Sequence, residues 1–298
     1  MDSSVCAVVV SYNSPALLTE CINSAIGQVN KIVVADNSTD PAAIHAVRTF
    51  CAKEQNISLL FNEGNRGLGY ALNQGLEYSL RNGYEWTLLL DQDSTLSRNM
   101  VREMCLSYES LPERDRKKAA LVAPVVYEKN SKKEFPPLVF TSGFLSKRIK
   151  RPLKDTFIDF HISSGSLMNN RLISKVGFFK ENLIIDYLDY DYCFRILALD
   201  LKILLSKNAI LHHSLGKPGR KFGLIFKEHD SRRIYYQTRN RLLLLSMYGR
   251  QYRSFLFEQS VRLIGKFFKI LLLESEKAAK IKFLLKGISD YKRYHSNL

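Results

Sequence analysis

Cysteine is scarce and unpaired in this sequence: the five cysteines, at positions 6, 21, 51, 105 and 193, are odd in number, widely spaced and form no C-x-x-C pair. That pattern excludes a disulfide framework and a zinc module, and a reducing cytosol is the expected compartment. Long apolar runs are missing too. The best late stretch, "LIGKFFKILLLE", carries two lysines and falls short of the ~20 apolar residues that span a bilayer. An acidic amino terminus and the short run "VCAVVV" give no expectation of a secretory signal. Acidic residues are also outnumbered: 29 Asp and Glu face 44 Lys and Arg, a formal net charge of +15 at pH 7. Such a balance points to an anionic partner, whether nucleic acid, a nucleotide or an acidic membrane surface. Nucleic-acid binding explains the charge, yet the chain has no helix-turn-helix signature, no "K/R-G-F-G-F" type run and no zinc spacing.

What is present describes a globular chain. Its 298 residues, 46% hydrophobic and 24% charged, suffice for one large domain or one domain with a tail. Val5 to Val10 is a continuous apolar, β-branched run ending in "SYNSP", the pattern of a fully buried strand followed by a turn. "SPALLTECINSAI" has helical spacing, with Ser14 as candidate N-cap and Pro15 at the first helical position. "KIVVADNSTD", a helix from about Pro41 to Gln55, the strand "ISLLFN", a helix from Gly69 to Asn82 and "WTLLLD" continue the alternation. Strand and helix in alternation predict an α/β fold with a mostly parallel sheet covered on both faces. In such sheets ligands bind beyond the carboxyl ends of the strands, where "SYN", "DNSTD", "FNEGNRG" and "DQDS" would converge.

The segment "WTLLLDQDST" ends a buried run in two aspartates, Asp91 and Asp93. On extended chain, residues two apart point to the same side. A hard cation such as Mg²⁺ or Mn²⁺ takes one or two carboxylates and completes its shell with water and substrate phosphate. The competing reading is a solvated turn or a helix cap. "GLGYAL" nearly spells a dinucleotide loop, but Leu72 stands where the third glycine belongs, and the motif is set aside.

Six segments in order, "VVVSYNSPALLTECINSAIGQVNKIVVADNSTD", "NEGNRGLGYALNQGLEYSLRNGYEWTLLLDQDS", "SSGSLMNNRLISKVGFF", "DYLDYDYCFR", "LHHSLGK" and "RRIYYQTRN", cover most of residues 5 to 240. Together they resemble inverting glycosyltransferases of family 2, which have the GT-A fold, and within them bacterial rhamnosyltransferases that use dTDP-rhamnose. The resemblance implies that Tyr12 and Asn13 line the nucleotide pocket and that Asp36 contacts the pyrimidine. Asn65, Gly67 and Asn73 would lie beside the nucleoside, although Asn73 alone reads as a polar residue on a helix face. Asp91 would face the ribose or metal-bound water and Asp93 would ligate Mg²⁺ or Mn²⁺. Of the acids in "IIDYLDYDYCFR", Asp189 takes the place of the base and Asp191 the second place, with helix capping as the alternative for at least one of them. Adjacent histidines on a strand point opposite ways, so one of His212 and His213 can face the site, and the resemblance implies that it is His213, as metal ligand or diphosphate donor. Lys217, Arg220 and Lys221 are candidates to clamp phosphate. Arg239, four residues after Tyr235, either reaches the diphosphate or belongs to a tyrosine-rich packing stripe.

The expected division is a catalytic domain over residues 1–226 and a basic amphipathic helical extension over 227–298. The extension reads as a helix on an anionic membrane surface or as a helix-helix contact, including a homo-oligomer. The resemblance implies dTDP-rhamnose as donor and a lipid-linked glycan as acceptor, and with the basic extension it implies a cytoplasmic enzyme, peripheral at the inner face of the membrane and binding no nucleic acid. A UDP-hexose or galactofuranose donor, or an inactive nucleotide-binding relative, are the alternatives.

Overall fold

The β-branched run at the start becomes strand β1 (Val5–Ser11), buried along its whole length. Its neighbours on both faces explain why it is continuously apolar. Val8 and Val10 enter the core on one side of the sheet while Val5, Ala7 and Val9 enter the core on the other. The computed structural model describes residues 4–214, 218–221, 224–227 and 230–295. In it, β1 lies parallel between β2 (Lys31–Asp36) and β4 (Trp86–Asp91), and β3 (Ile57–Phe61) extends the sheet beyond β2.

Helices α1 (Pro15–Ala25), α2 (Pro41–Cys51) and α3 (Leu68–Arg81) make the crossovers. Ser14 occupies the N-cap position of α1 but makes no side-chain capping bond, whereas the Asp40 carboxylate caps α2 by accepting from the Ala42 N–H at 3.0 Å. Gly75 lets α3 approach β1: a Cβ there would lie 2.1 Å from Val8 Cγ1.

After β4 come β5 (Ser94–Leu96), α4 (Met100–Glu109), α5 (Glu113–Arg116) and the long strand β6 (Ala119–Glu128). Short strands β7 (Glu134–Phe135), β8 (Leu138–Val139), β9 (Lys147–Arg148) and β10 (Thr156–Ile158) occupy the irregular middle. Then follow β11 (Leu167–Asn169), α6 (Asn170–Val176), α7 (Leu188–Ala198) and β12 (Lys202–His213). The sheet order is β10-β12-β6-β11-β4-β1-β2-β3. The first four strands are parallel, as the alternation predicts. β11 then enters antiparallel to both β4 and β6, which makes the sheet mixed. Because β6 and β12 are parallel to each other and antiparallel to β11, they run the same way as β4. His213 at the end of β12 and Asp91 at the end of β4 therefore reach the same edge.

The chain closes with the hairpin β13 (Pro218–Lys221) and β14 (Leu224–Lys227) and with helices α8 (Ser231–Tyr248), α9 (Arg253–Leu272) and α10 (Lys277–His295). Leu243, Leu244 and Phe255 join the core on one face of the sheet, and Ile234, Ile270 and Leu284 tie α8, α9 and α10 together.

Candidate active site

Asp91 closes β4, the chain turns through Gln92 and Asp93, and β5 leads away. The turn does not separate the two acids, because β5 pairs antiparallel with β12 and sets Ser94 opposite His213. Asp93 Oδ1 lies 3.2 Å from His213 Nδ1, and Asp91 Oδ2 lies 3.7 Å from Nε2. Ser94 Oγ sits 3.1 Å from the same Nδ1 and is bonded in turn to Ser164 Oγ at 2.6 Å. His212 faces solvent while His213 is buried, as strand alternation requires. Gln92, between the acids, has a role that the motif did not announce. Its side-chain amide accepts from the Tyr12 N–H at 2.8 Å and donates to the Tyr12 carbonyl at 3.0 Å, stitching the end of β1 to the end of β4.

Burial raises the pKa of Asp91 to about 6; His213 and Arg233 oppose that shift, while Asp93 and Asp189 add to it. Burial disfavours the charged form of His213, yet Asp93 and Asp91 outweigh it and hold the imidazole above its ordinary value. The cluster is thus short of positive charge. Ligand atoms from Asp91, Asp93 and His213 lie within 4.8 Å of one another. Two hard carboxylates and an imidazole suit a divalent cation, with Ser94 as an outer partner orienting the ring, and this site can hold one.

On the nucleotide side, Tyr12 is exposed at the mouth of the crevice. Asn13, at φ 47°, joins the exits of β1 and β2: its side-chain Oδ1 accepts from the Thr39 and Asp40 N–H groups at 2.9 and 3.0 Å. Asp36 is fully buried. One of its oxygens accepts from the Ser38 N–H and hydroxyl at 3.1 and 2.6 Å, while Oδ2 has no protein partner among the described residues. Asn65 is exposed and accepts from the Gly67 N–H at 3.0 Å. Gly67 has φ 95°, and a Cβ there would stand 3.1 Å from the Ile184 carbonyl oxygen, so only glycine fits without strain. Asn73 is a correction. It is buried with its amide fully engaged, exchanging bonds of 2.8 and 2.9 Å with the Phe179 backbone and donating to Glu181 at 2.9 Å. It braces α3 against residues 179–181 and spends both of its N–H groups there, so it has no donor left for a nucleoside.

The three acids of "DYLDYD" separate sharply. Asp189 stands in the first turn of α7, half-buried, and accepts from the Ser163 N–H at 2.9 Å. Burial raises its pKa, against the Ser163 bonds that lower it. Asp191 corrects the expectation of a second catalytic acid. It is 0% exposed, and Lys180, Arg195 and Tyr248 donate to it at 2.8, 2.9 and 3.0 Å, so it fastens α7 and α8 and cannot take a substrate proton. Asp186 is paired with both Nε and Nη2 of Arg233 at 2.9 Å.

Arg239 is a further correction: it is 2% exposed, and its guanidinium holds the Asn182 carbonyl at 2.5 Å and the Asn240 side-chain oxygen at 2.8 and 3.0 Å, so it does not reach toward a diphosphate. The arginine of α8 that faces the acids is Arg233. It lies close enough to oppose the upward shift of Asp91, and the sequence signal for it was only its place in "RRIYYQTRN". Lys217 lies outside the described residues, as do the side chains of Arg220 and Lys221.

With this geometry in hand, three comparisons are informative. The model of the family described as "Glycosyl transferase family 2" matches residues 6–177. The chain is 27% identical over 255 residues, 82% of its own length and 81% of the relative's, to a protein named "dTDP-rhamnosyl transferase RfbF" from Shigella flexneri. Among solved structures it resembles GalNAc-T7 with UDP, GalNAc and Mn²⁺, at TM-score 0.64 and 12% identity, over 86% of this chain and half of that one. It also resembles the mannosyltransferase PcManGT from Pyrobaculum calidifontis in complex with GDP-Man and Mn²⁺, at TM-score 0.59 and 14% identity, over 98% of this chain and 82% of that one. At such identities the two structures speak for the fold alone.

Proposed function

The chain belongs to glycosyl transferase family 2, and from that premise we propose that it transfers an L-rhamnosyl residue from dTDP-β-L-rhamnose, with inversion, to a hydroxyl of a lipid-linked glycan in bacterial surface polysaccharide synthesis. The observation that carries the chemistry is the pairing of a cation-seeking cluster, Asp91, Asp93 and His213, with a carboxylate of raised pKa, Asp189, at one sheet edge. The rhamnosyl donor is supported by the relative's name and its 27% identity.

Asp189 takes the proton of the acceptor hydroxyl as that oxygen attacks the anomeric carbon. The new C–O bond forms on one face, the bond to the nucleoside diphosphate breaks on the other, and the proton stays on Asp189. When bound, Mg²⁺ or Mn²⁺ neutralises charge on the departing diphosphate, and Asp91, Asp93 and His213 would hold it. Arg233 adds a positive charge beside them. The partnerless oxygen of Asp36 is suited to accept the pyrimidine N–H, because a buried acceptor without a donor is destabilising. Tyr12, Asn13, Asn65 and Gly67 shape the remainder of that pocket. Titrating the purified protein with dTDP, UDP and GDP, with and without Mg²⁺ or Mn²⁺, tests this by thermal shift. Metal-dependent preference for dTDP is expected. A preference for UDP would keep the transferase and replace the sugar, and no response to any nucleotide would end the reading.

In the same proposal, residues 1–226 are the catalytic unit and 227–298 an extension that lies on an anionic membrane. No helix among the described residues is long and apolar enough to cross one. On α9, Phe257, Val261, Ile264, Phe268 and Leu272 are exposed at intervals of three and four residues, with Phe144 against Phe257 at a ring separation of 5.1 Å. With the chain's +15 charge, that stripe suits an interfacial helix at anionic lipid. Replacing Ile264 and Phe268 together by Glu is expected to lower co-sedimentation with phosphatidylglycerol vesicles about tenfold or more. Turnover on a water-soluble acceptor should not change. Undiminished vesicle binding, or loss of a dimer instead, would refute the membrane contact.

A further inference from the structure

We propose that Arg239 and Asn240 of α8 are positioning residues for the transfer step, holding the loop at residues 182–187 in the one conformation that presents Asp189 to the acceptor. The inference rests on the reading of Asp189 as base. The loop is one the chain would not adopt by itself. Ile184, Asp186 and Tyr187 have φ of 59°, 60° and 70°; Ile184, at ψ −62°, centres a γ-turn in which the Ile185 N–H donates to the Leu183 carbonyl at 2.6 Å, a strained conformation for a β-branched residue. Such a conformation persists only where its surroundings over-determine it.

Here the surroundings claim five consecutive carbonyls. Arg239 Nη2 donates to Asn182 O at 2.5 Å. Asn240 Nδ2 faces the carbonyls of Leu183, Ile185 and Asp186 at 2.6, 2.9 and 3.1 Å, two N–H groups shared among three acceptors. The remaining carbonyl, of Ile184, accepts from the Leu68 N–H at 2.6 Å on the opposite side of the loop. The amide of Asn240 cannot flip, because Arg239 donates twice to its oxygen and leaves the nitrogen toward the loop. Asn240 is 0% exposed, so in the native protein these carbonyls are held by its amide and not by bulk solvent. Tyr187, the last left-handed residue, has its hydroxyl held by Arg241 at 2.5 Å and by Gln259 at 2.9 Å. Two residues later the chain reaches Asp189, in the first turn of α7. Anything that lets the loop relax therefore moves the base, while the Asp91, Asp93 and His213 cluster stays on β4, the turn that follows it and β12.

The test is steady-state kinetics of Asn240→Ala beside Asp189→Asn and a control, Glu274→Gln. Glu274 is buried between Lys266, Lys269 and Lys280 at the α9–α10 joint, away from the loop. Asn240→Ala should lower kcat about 100-fold, the scale of a misplacement near 1 Å. Its dTDP affinity should fall far less than kcat, because Asp91, Asp93 and His213 stay in place, and only Arg233, held by Asp186, and Gly67, against Ile184, touch the loop from the donor side. The acid limb of its pH profile should also shift, since Asp189 changes surroundings. Glu274→Gln should lower Tm without lowering kcat. If Asn240→Ala does not fold, Asn240→Ser, which keeps one donor, is read in the same assay with the same expectations. Wild-type kcat in the Asn240 variant beside an inert Asp189→Asn overturns the positioning role and leaves the base reading intact. A loss confined to donor KM, or equal kcat losses in Asn240→Ala and Glu274→Gln at equal Tm loss, also overturns it. An active Asp189→Asn overturns the base reading itself.

Discussion

Asp189→Asn is expected to lower kcat on the order of 10³-fold, the middle of what a positioned general base contributes, and to raise rather than lower Tm at neutral pH. The first effect follows from losing the proton acceptor while keeping a side chain that can accept the Ser163 N–H. The second follows from the direction of the pKa shift. Burial raises the carboxyl of Asp189 above its ordinary value. Between the unfolded and folded pKa the native state holds more protons, so stability falls as pH rises through that window, and above it the ionised side chain destabilises the fold. A neutral amide does not ionise and avoids that destabilisation. In the wild type, activity should climb with pH along a limb set by the folded pKa, above the usual aspartate range, and that limb should be absent from the residual rate of the variant. Measuring kcat against pH and Tm at neutral pH checks both. Near-normal turnover would remove Asp189 from the reaction, and an unchanged acid limb would assign the titration to another group.

Asp93→Ala should abolish the metal-dependent part of nucleotide binding and lower kcat/KM on the order of 10³-fold, consistent with the several kcal/mol that a cation contributes to charge on a leaving group. Asp93 is one of three groups whose donor atoms converge, and its carboxylate stands 3.2 Å from His213. Without it, one carboxylate and an imidazole remain, and the lost ligating charge lets water compete for the cation. Thermal shift with dTDP, with and without Mg²⁺ or Mn²⁺, separates this from a general loss of fold: the variant should show the small metal-independent shift and none of the rest. A full metal-dependent shift in Asp93→Ala would mean that the cation sits elsewhere.

Both predictions concern residues that the sequence singled out, and the reason is local. Asp91 and Asp93 terminate a continuous apolar run, and a buried parallel strand has only its end free for charge. Alternation along β12 left His212 or His213, and the resemblance selected His213. Other expectations failed where the answer lay in the rotation of a helix. Asp189 and Asp191 are two apart on α7, and that difference turns one toward the crevice and the other into a buried network of Lys180, Arg195 and Tyr248. Arg233 and Arg239 divide on α8 for the same reason, and Asn73 on α3 turns toward Phe179.

The amino-acid order by itself determined the succession of strands and helices, the polar clusters at the strand ends and the acid pair that closes β4, because periodicity and burial are written into neighbouring residues. Only the tertiary structure decided that β11 enters the sheet antiparallel, which acids have no counter-ion, and that α8 grips the loop before Asp189 by its carbonyls. Those outcomes depend on backbone groups far apart in the chain, and every residue carries the same backbone groups.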